Sequence, residues 1–186
     1  MAKAHVYKRD HANTDEIIPA RYLNTDDVKE LAKHCMEDLD VNFVKKCRPG
    51  DVIVCGDDFG CGSSREHAVW AIQGAKVSAV IAHSFARIFY RNCINCGFYP
   101  IELPRAVNQI NDGDELEIDY EKGVINNKTQ KKKIQFNPLP DFALASVHDG
   151  GLLEHIKKKT TDEHGFSRIL NQGIAFWRKK IYYTTI

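Results

Sequence analysis

The spacing of hydrophobic and polar residues changes character three times along the chain. AHVYK, near the start, alternates like an opening strand. RDHANTDEIIPARYLNT follows as a polar stretch with one apolar interruption and Pro19, which is loop chemistry long enough to carry function. Thr25, before Asp26 and Asp27, reads as an N-cap with acids in the first turn, and Val28, Leu31, Ala32 and Cys35 then recur at helical spacing. A short helix is expected across DVNFVKKC, closed by Pro49 and Gly50.

From residue 51 two element types alternate. DVIVC is a short apolar run, EHAVWAIQGA has a helical pattern ending at Gly74, and SAVIAHS reads as a buried strand. FARIFYRNCINCG is helical up to Gly97, and FYPIEL makes a third strand. Strand, helix, strand, helix, strand in this order predicts a mostly parallel sheet covered by helices.

After Pro104 the period shortens. NDGDELEIDYEKGVINNKTQKKKIQF alternates polar and apolar residues through two or three short strands, with turns expected at Asp112-Gly113, Lys122-Gly123 and Asn126-Asn127. This predicts a β-meander appended to the α/β part. A last amphipathic helix is expected over GGLLEHIKKK, with Leu152, Leu153 and Ile156 as its apolar stripe. Residues 1–161 are read as one domain and residues 162–186 as a C-terminal extension, rich in large apolar groups, whose role the sequence does not state.

Composition adds bounds. The 186 residues are 43% hydrophobic and 27% charged, as in a soluble globular domain with a single core. A formal net charge of +1 supplies no global field to draw nucleic acid or acidic lipid. Apolar runs such as VSAVIA are far shorter than the ~20 residues that span a bilayer, and the polar start carries no signal-peptide segment. A cytoplasmic protein is expected, with its six cysteines as reduced thiols.

Candidate chemistry concentrates in residues 56–70, GDDFGCGSSREHAVW, where a buried strand gives way to a helix. Ligands of α/β sheets bind most often at such a junction, and the first amides of a helix welcome carboxylate or phosphate. Gly60 and Gly62 allow close backbone approach or positive φ, and Arg65 adds a planar fork that binds carboxylate. The same letters permit a plain structural reading, because Ser63 and Glu66 have the spacing of a capping box. The lysine of a phosphate loop and the GxSxG of a hydrolase elbow are both missing. Cys93 and Cys96, one helical turn apart, make at best half a metal site.

The block GDDFGCGSSREHAVWAI, preceded by NTDEIIPARYL and followed by IAHSFARIFYRNCINCGFYPIEL, resembles the small subunits of the aconitase-like dehydratases, in particular those acting on isopropylmalate. The likeness covers about residues 4–160, in order and spacing. It implies an α/β fold of the three-layer β/β/α swivelling type, with a mixed sheet. It also implies a hydro-lyase that moves a hydroxyl between neighbouring carbons and is active only with a large subunit. A [4Fe-4S] cluster would be carried by that partner, with no metal bound by this chain and none on the RNCINCG helix. By position in the motifs, Ser63 resembles the serine that removes the carbon-bound proton. Asp15 resembles the aspartate that orients active-site groups, and Gly62, Ser64 and Arg65 resemble the substrate-binding set.

Within the resemblance, the loop ARYLNT (residues 20–25) selects the substrate. Relatives that act on a carboxylated side arm place an arginine where this chain has Asn24. Without that cation an extra carboxylate would be buried unpaired, so an alkyl-bearing malate such as isopropylmalate fits better than homocitrate. Citraconate, 2-methylmalate and dimethylmalate hydratases and homoaconitase stay open as alternatives within the class. A non-catalytic anion-binding module is the alternative outside it.

Overall fold

The structure is a computed structural model that describes residues 1–63 and 65–160. The extension expected at 162–186 lies outside the described residues. Seven strands form one mixed sheet in the order β4-β3-β2-β1-β5-β6-β7. The parallel half is β1 (Ala2–Val6), β2 (Val52–Cys55), β3 (Ala79–Ala82) and β4 (Tyr99–Glu102). Beyond β1 the sheet turns antiparallel through β5 (Glu115–Asp119), β6 (Val124–Asn127) and β7 (Lys132–Gln135). β1 is the joint: residues 4–6 pair with β2, and Ala2 and Lys3 pair with β5. The mixed sheet with an appended meander is thus one continuous strip.

All of β2 and β3 is buried, as strands covered on both faces must be. α4 (Glu66–Gly74) follows β2 and α5 (Arg87–Asn95) follows β3, two of the three crossovers that the parallel pairs require; the first runs from β1 to β2 through residues 7–51. α2 (Val28–Ala32) packs on α4, α4 on α5, and α5 on α7 (Asp141–His148) and α8 (Leu152–Lys159). The short α6 (Ala106–Gln109) lies against β2 and β3. Among the described residues no helix is long and apolar enough to cross a membrane.

Local differences from the expected pattern have physical causes. The long polar stretch after β1 is not all loop: it holds α1 (Thr14–Ile17) and a 3-10 turn at Ala20–Tyr22. Asn13 and Glu16 close a reciprocal capping box on α1. The cap of α2 is Asp27, whose carboxylate accepts from the Lys29 amide, while Thr25 accepts from the Asp27 amide one step earlier. Asn126 and Asn127 lie inside β6, and the turn falls at residues 128–131. Buried Asn127 donates to Asp114 at 2.6 Å and accepts from the Gln130 amide at 2.9 Å, so tertiary partners override its turn preference. α8 turns a different face inward. Leu153 is 72% exposed, and His155 is the buried residue, bonded to Asp149 and edge-on to Phe142. α3 (Phe43–Lys46) is where the short second helix was expected, and α6 and α7 are additions.

The amino ends of the parallel strands are closed by a polar lock. Buried Asp51 accepts from the Lys3 amide at 3.0 Å, the Arg48 amide at 2.8 Å and His5 Nε2 at 2.9 Å. Cys47 stands beside them, the donor atoms of His5, Cys47 and Asp51 all falling within 4.8 Å of one another. Burial, with the Asp51 charge adding to it, pushes the Cys47 thiol up to about 11. Burial works against the Asp51 charge too, yet the hydrogen bonds from Arg48, His5 and Lys3 outweigh it and hold this carboxyl below its ordinary range.

A carboxyl whose folded pKa is depressed contributes stability above its unfolded value of ~3.9 and loses it as pH falls through the folded value. Asp51→Asn is therefore expected to lower unfolding free energy by about 2 kcal/mol near pH 7. In urea titrations, the gap between variant and parent should close below about pH 4.

Candidate active site at the carboxyl ends of the parallel strands

When β1 and β2 stop being strands, the chains leaving them go on pairing. The Gly56 amide donates to Arg9 O at 2.9 Å, and His11 N to Asp57 O at 2.7 Å. Gly60 N then donates to Ala12 O at 2.8 Å, and Thr14 N to Cys61 O at 2.8 Å. Thr14 is buried, and its hydroxyl donates to Ser63 O at 3.2 Å. The loop carrying Asp15 and the loop carrying Ser63 are thereby one structure.

Gly60 and Gly62 both have positive φ, +79° and +93°. At Gly60 a side chain would also strike the Phe89 ring, with a Cβ only 2.2 Å from its Cγ, whereas at Gly62 the nearest atom would be 3.4 Å away. Phe59, Phe85 and Phe89 pack together beneath the turn. The loop's shape is thus set by the aromatic core under it.

The structure pairs Arg65 Nη1 with Asp15 Oδ1 across the two loops. Arg65 is mostly buried, with its side chain 20% exposed, and Asp15 is half-exposed at 52%. The capping box that the spacing of Ser63 and Glu66 permits does not form. α4 begins at Glu66 with Arg65 in the N-cap position and no side-chain cap, while Ser63 lies exposed. The first turn of α4 thus takes no cap from the Arg65 side chain, and the positive end of its dipole favours a negative group there. Ser64, expected among the binding residues, lies outside the described residues.

Asn24 is exposed on the turn between the 3-10 segment and α2. Asp26, two residues on, bonds His67 Nε2 at 3.0 Å in the first turn of α4, and the His67 ring lies 4.9 Å from that of Trp70. The loop expected to select substrate is in this way tied to the helix expected to bind it. Arg21, that loop's cation, turns to Glu37 and Asp38 instead. On the other flank Asp57 bonds His83 at 3.1 Å and accepts from the Ser84 hydroxyl at 3.0 Å. None of these pairings could be read in the sequence, since they join residues 16 to 50 positions apart with no motif spacing.

All six cysteines are free. Cys93 is buried, and burial, with Glu66 adding to it, pushes the Cys96 thiol up to about 12. The only cluster of three or more His, Cys, Asp or Glu donors among the described residues is His5, Cys47 and Asp51, at the opposite end of the sheet. In that cluster the Asp51 oxygens already serve three donors.

Residues 6–106 match the family model of the aconitase C-terminal domain. Small subunit 2 of 3-isopropylmalate dehydratase from Deinococcus radiodurans is 56% identical over 157 residues, 84% of this chain and 76% of that protein. The small subunit from Deinococcus deserti is 53% identical over 88% of this chain and 90% of its own length. A crystal structure of 3-isopropylmalate dehydratase from Methanocaldococcus jannaschii superimposes with a TM-score of 0.80 at 48% identity, covering 84% of this chain and 92% of that one.

The two glycines of the turn should separate in a mutational test. Gly62→Ala meets only the cost of positive φ, about 1–2 kcal/mol. Gly60→Ala adds overlap with Phe89 and is expected to cost about 3 kcal/mol or more in denaturant unfolding.

Proposed function

The chain belongs to the aconitase C-terminal domain family, in its branch of 3-isopropylmalate dehydratase small subunits, and we propose from that membership that Ser63, Arg65 and Asp15 are its share of the active site. The reaction of this branch interconverts 2-isopropylmalate and 3-isopropylmalate by loss and return of water, a step of leucine biosynthesis. The observation that carries the assignment is the Asp15–Arg65 pair, which joins both motif loops beside the exposed Ser63.

Ser63 Oγ takes the carbon-bound proton of the substrate. A serine hydroxyl is a weak base unless its charged form is strongly stabilised. The uncapped amides of α4 and the Arg65 cation supply that stabilisation on this chain. Arg65 has five N–H donors, and Asp15 engages Nη1, which leaves the other edge of the fork for a substrate carboxylate. Asp15 thus orients the clamp, and Gly62 and Ser64 complete the proposed substrate-binding set. Asn24 faces the substrate's side arm, and Arg21, engaged with Glu37 and Asp38, leaves that region without added positive charge. A neutral surface suits an alkyl arm and disfavours a carboxylated one.

The resemblance implies a [4Fe-4S] cluster, and the donors here do not fit one, since no three cysteines gather among the described residues. We assign the cluster to the large subunit, together with the remainder of the cleft. A cytoplasmic location is supported by six unpaired thiols, which suit a reducing compartment.

In isomerisation assays of the chain combined with its large subunit, Ser63→Ala should lower turnover by at least about a hundredfold. Co-purification of the two subunits should be unchanged. Full turnover by this variant would remove Ser63 as the base. Asn24→Arg, in competition assays, should shift preference from isopropylmalate towards homocitrate.

A further inference from the structure

We propose that Arg21, Tyr22, His34, Glu37 and Asp38 form a clamp that holds Asn24 over the substrate's side arm, with Glu37 as the positioning residue at its centre. The proposal rests on the reading that the 20–25 loop faces substrate, and it concerns what fixes that loop.

Glu37 serves three partners with two oxygens. Oε1 accepts from Arg21 Nη2 at 2.8 Å and from the Tyr22 hydroxyl at 3.0 Å, and Oε2 bonds His34 Nδ1 at 2.6 Å. Arg21 also grips Asp38 with both terminal nitrogens, at 2.7 and 3.2 Å, the planar fork-to-carboxylate geometry. The Tyr22 and His34 rings are stacked, 3.5 Å between centroids and 8° from parallel, and the guanidinium of Arg21 lies 4.8 Å over the Tyr22 ring. A single surface ion pair contributes little, but a network of several charges with bidentate and stacked geometry holds one arrangement.

The platform under the clamp is rigid. Met36 is fully buried, adopts φ +61°, and donates its amide to Ile17 O at 2.7 Å. That bond ties the turn carrying His34, Glu37 and Asp38 to the end of α1, the helix that carries Asp15. On the far side of Asn24 the Asp26–His67 bond ties the loop to α4, next to Arg65. Asn24 is therefore suspended between two anchors, each leading back to one member of the Asp15–Arg65 pair. Loosening the first anchor leaves the reacting groups in place and frees the loop, so its effect falls on which side arm is recognised.

The test uses the chain assembled with its large subunit and measures kcat and KM for isopropylmalate and for 2-methylmalate. Glu37→Gln, which keeps the shape and removes the charge, is expected to raise KM for isopropylmalate about fivefold. It should change kcat less than about twofold, and the ratio of kcat/KM between the two substrates should fall by a similar factor. Tyr22→Phe, which preserves the stack and removes the hydroxyl that bonds Glu37, should move the ratio in the same direction by a smaller amount. A merely structural role would lower the active fraction and scale both substrates equally, leaving the ratio fixed, and that result would overturn the clamp. Asn24→Ala separates the two levels. If it shifts the ratio while the Glu37 and Tyr22 variants do not, the clamp fails and the loop's role stands. If Asn24→Ala leaves the ratio unchanged, the reading of the loop itself fails.

Discussion

The continued pairing of two chains beyond the ends of β1 and β2 is the constraint on which the site depends. Irregular backbone at a sheet end must still find partners for its N–H and C=O groups. Here residues 9–14 and 56–63 supply them to each other, finishing with the Thr14 hydroxyl on Ser63 O. Asp15 comes from one and Arg65 follows the other, so their pairing is a product of the strand order and not of either motif.

The two ends of the parallel sheet show opposite uses of charge. At the amino ends Asp51 is buried and its oxygens are matched by the Lys3 and Arg48 amides and His5, a closed arrangement that contributes to stability. At the carboxyl ends the first turn of α4 has no side-chain cap and Ser63 is exposed. In the proposed reading that positive potential serves an outside anion, and a complete cap would have cancelled it.

The parallel half of the fold was legible because its strands are short, the central two wholly apolar, and because they alternate with helices ended by glycine. The meander was legible from its alternation, apart from the Asn126-Asn127 turn, where Asp114 and Gln130 claim Asn127. The motif position of Ser63 and Arg65 at a strand-to-helix junction was also legible. Of the two readings left open for Ser63, the capping box does not form; the box that does form is that of Asn13 and Glu16 on α1. The inward face of α8 was missed because a histidine, paired with Asp149, takes the place expected of leucine. What no local pattern announces is long-range pairing: Thr14 with Ser63, His67 with Asp26, and Arg21 with Glu37 and Asp38.

The contact of Gly60 with Phe89 bears on how such a protein can change over time. The turn under Ser63 is moulded on an aromatic cluster, so its geometry is inherited from the hydrophobic core and cannot drift without unsettling the fold. The loop around Asn24 is exposed and hangs from polar contacts, where substitutions are tolerated far more readily. The two segments thus have unequal freedom to mutate. A lineage can vary residues 20–26 while the turn at Gly60 stays where the aromatic core holds it.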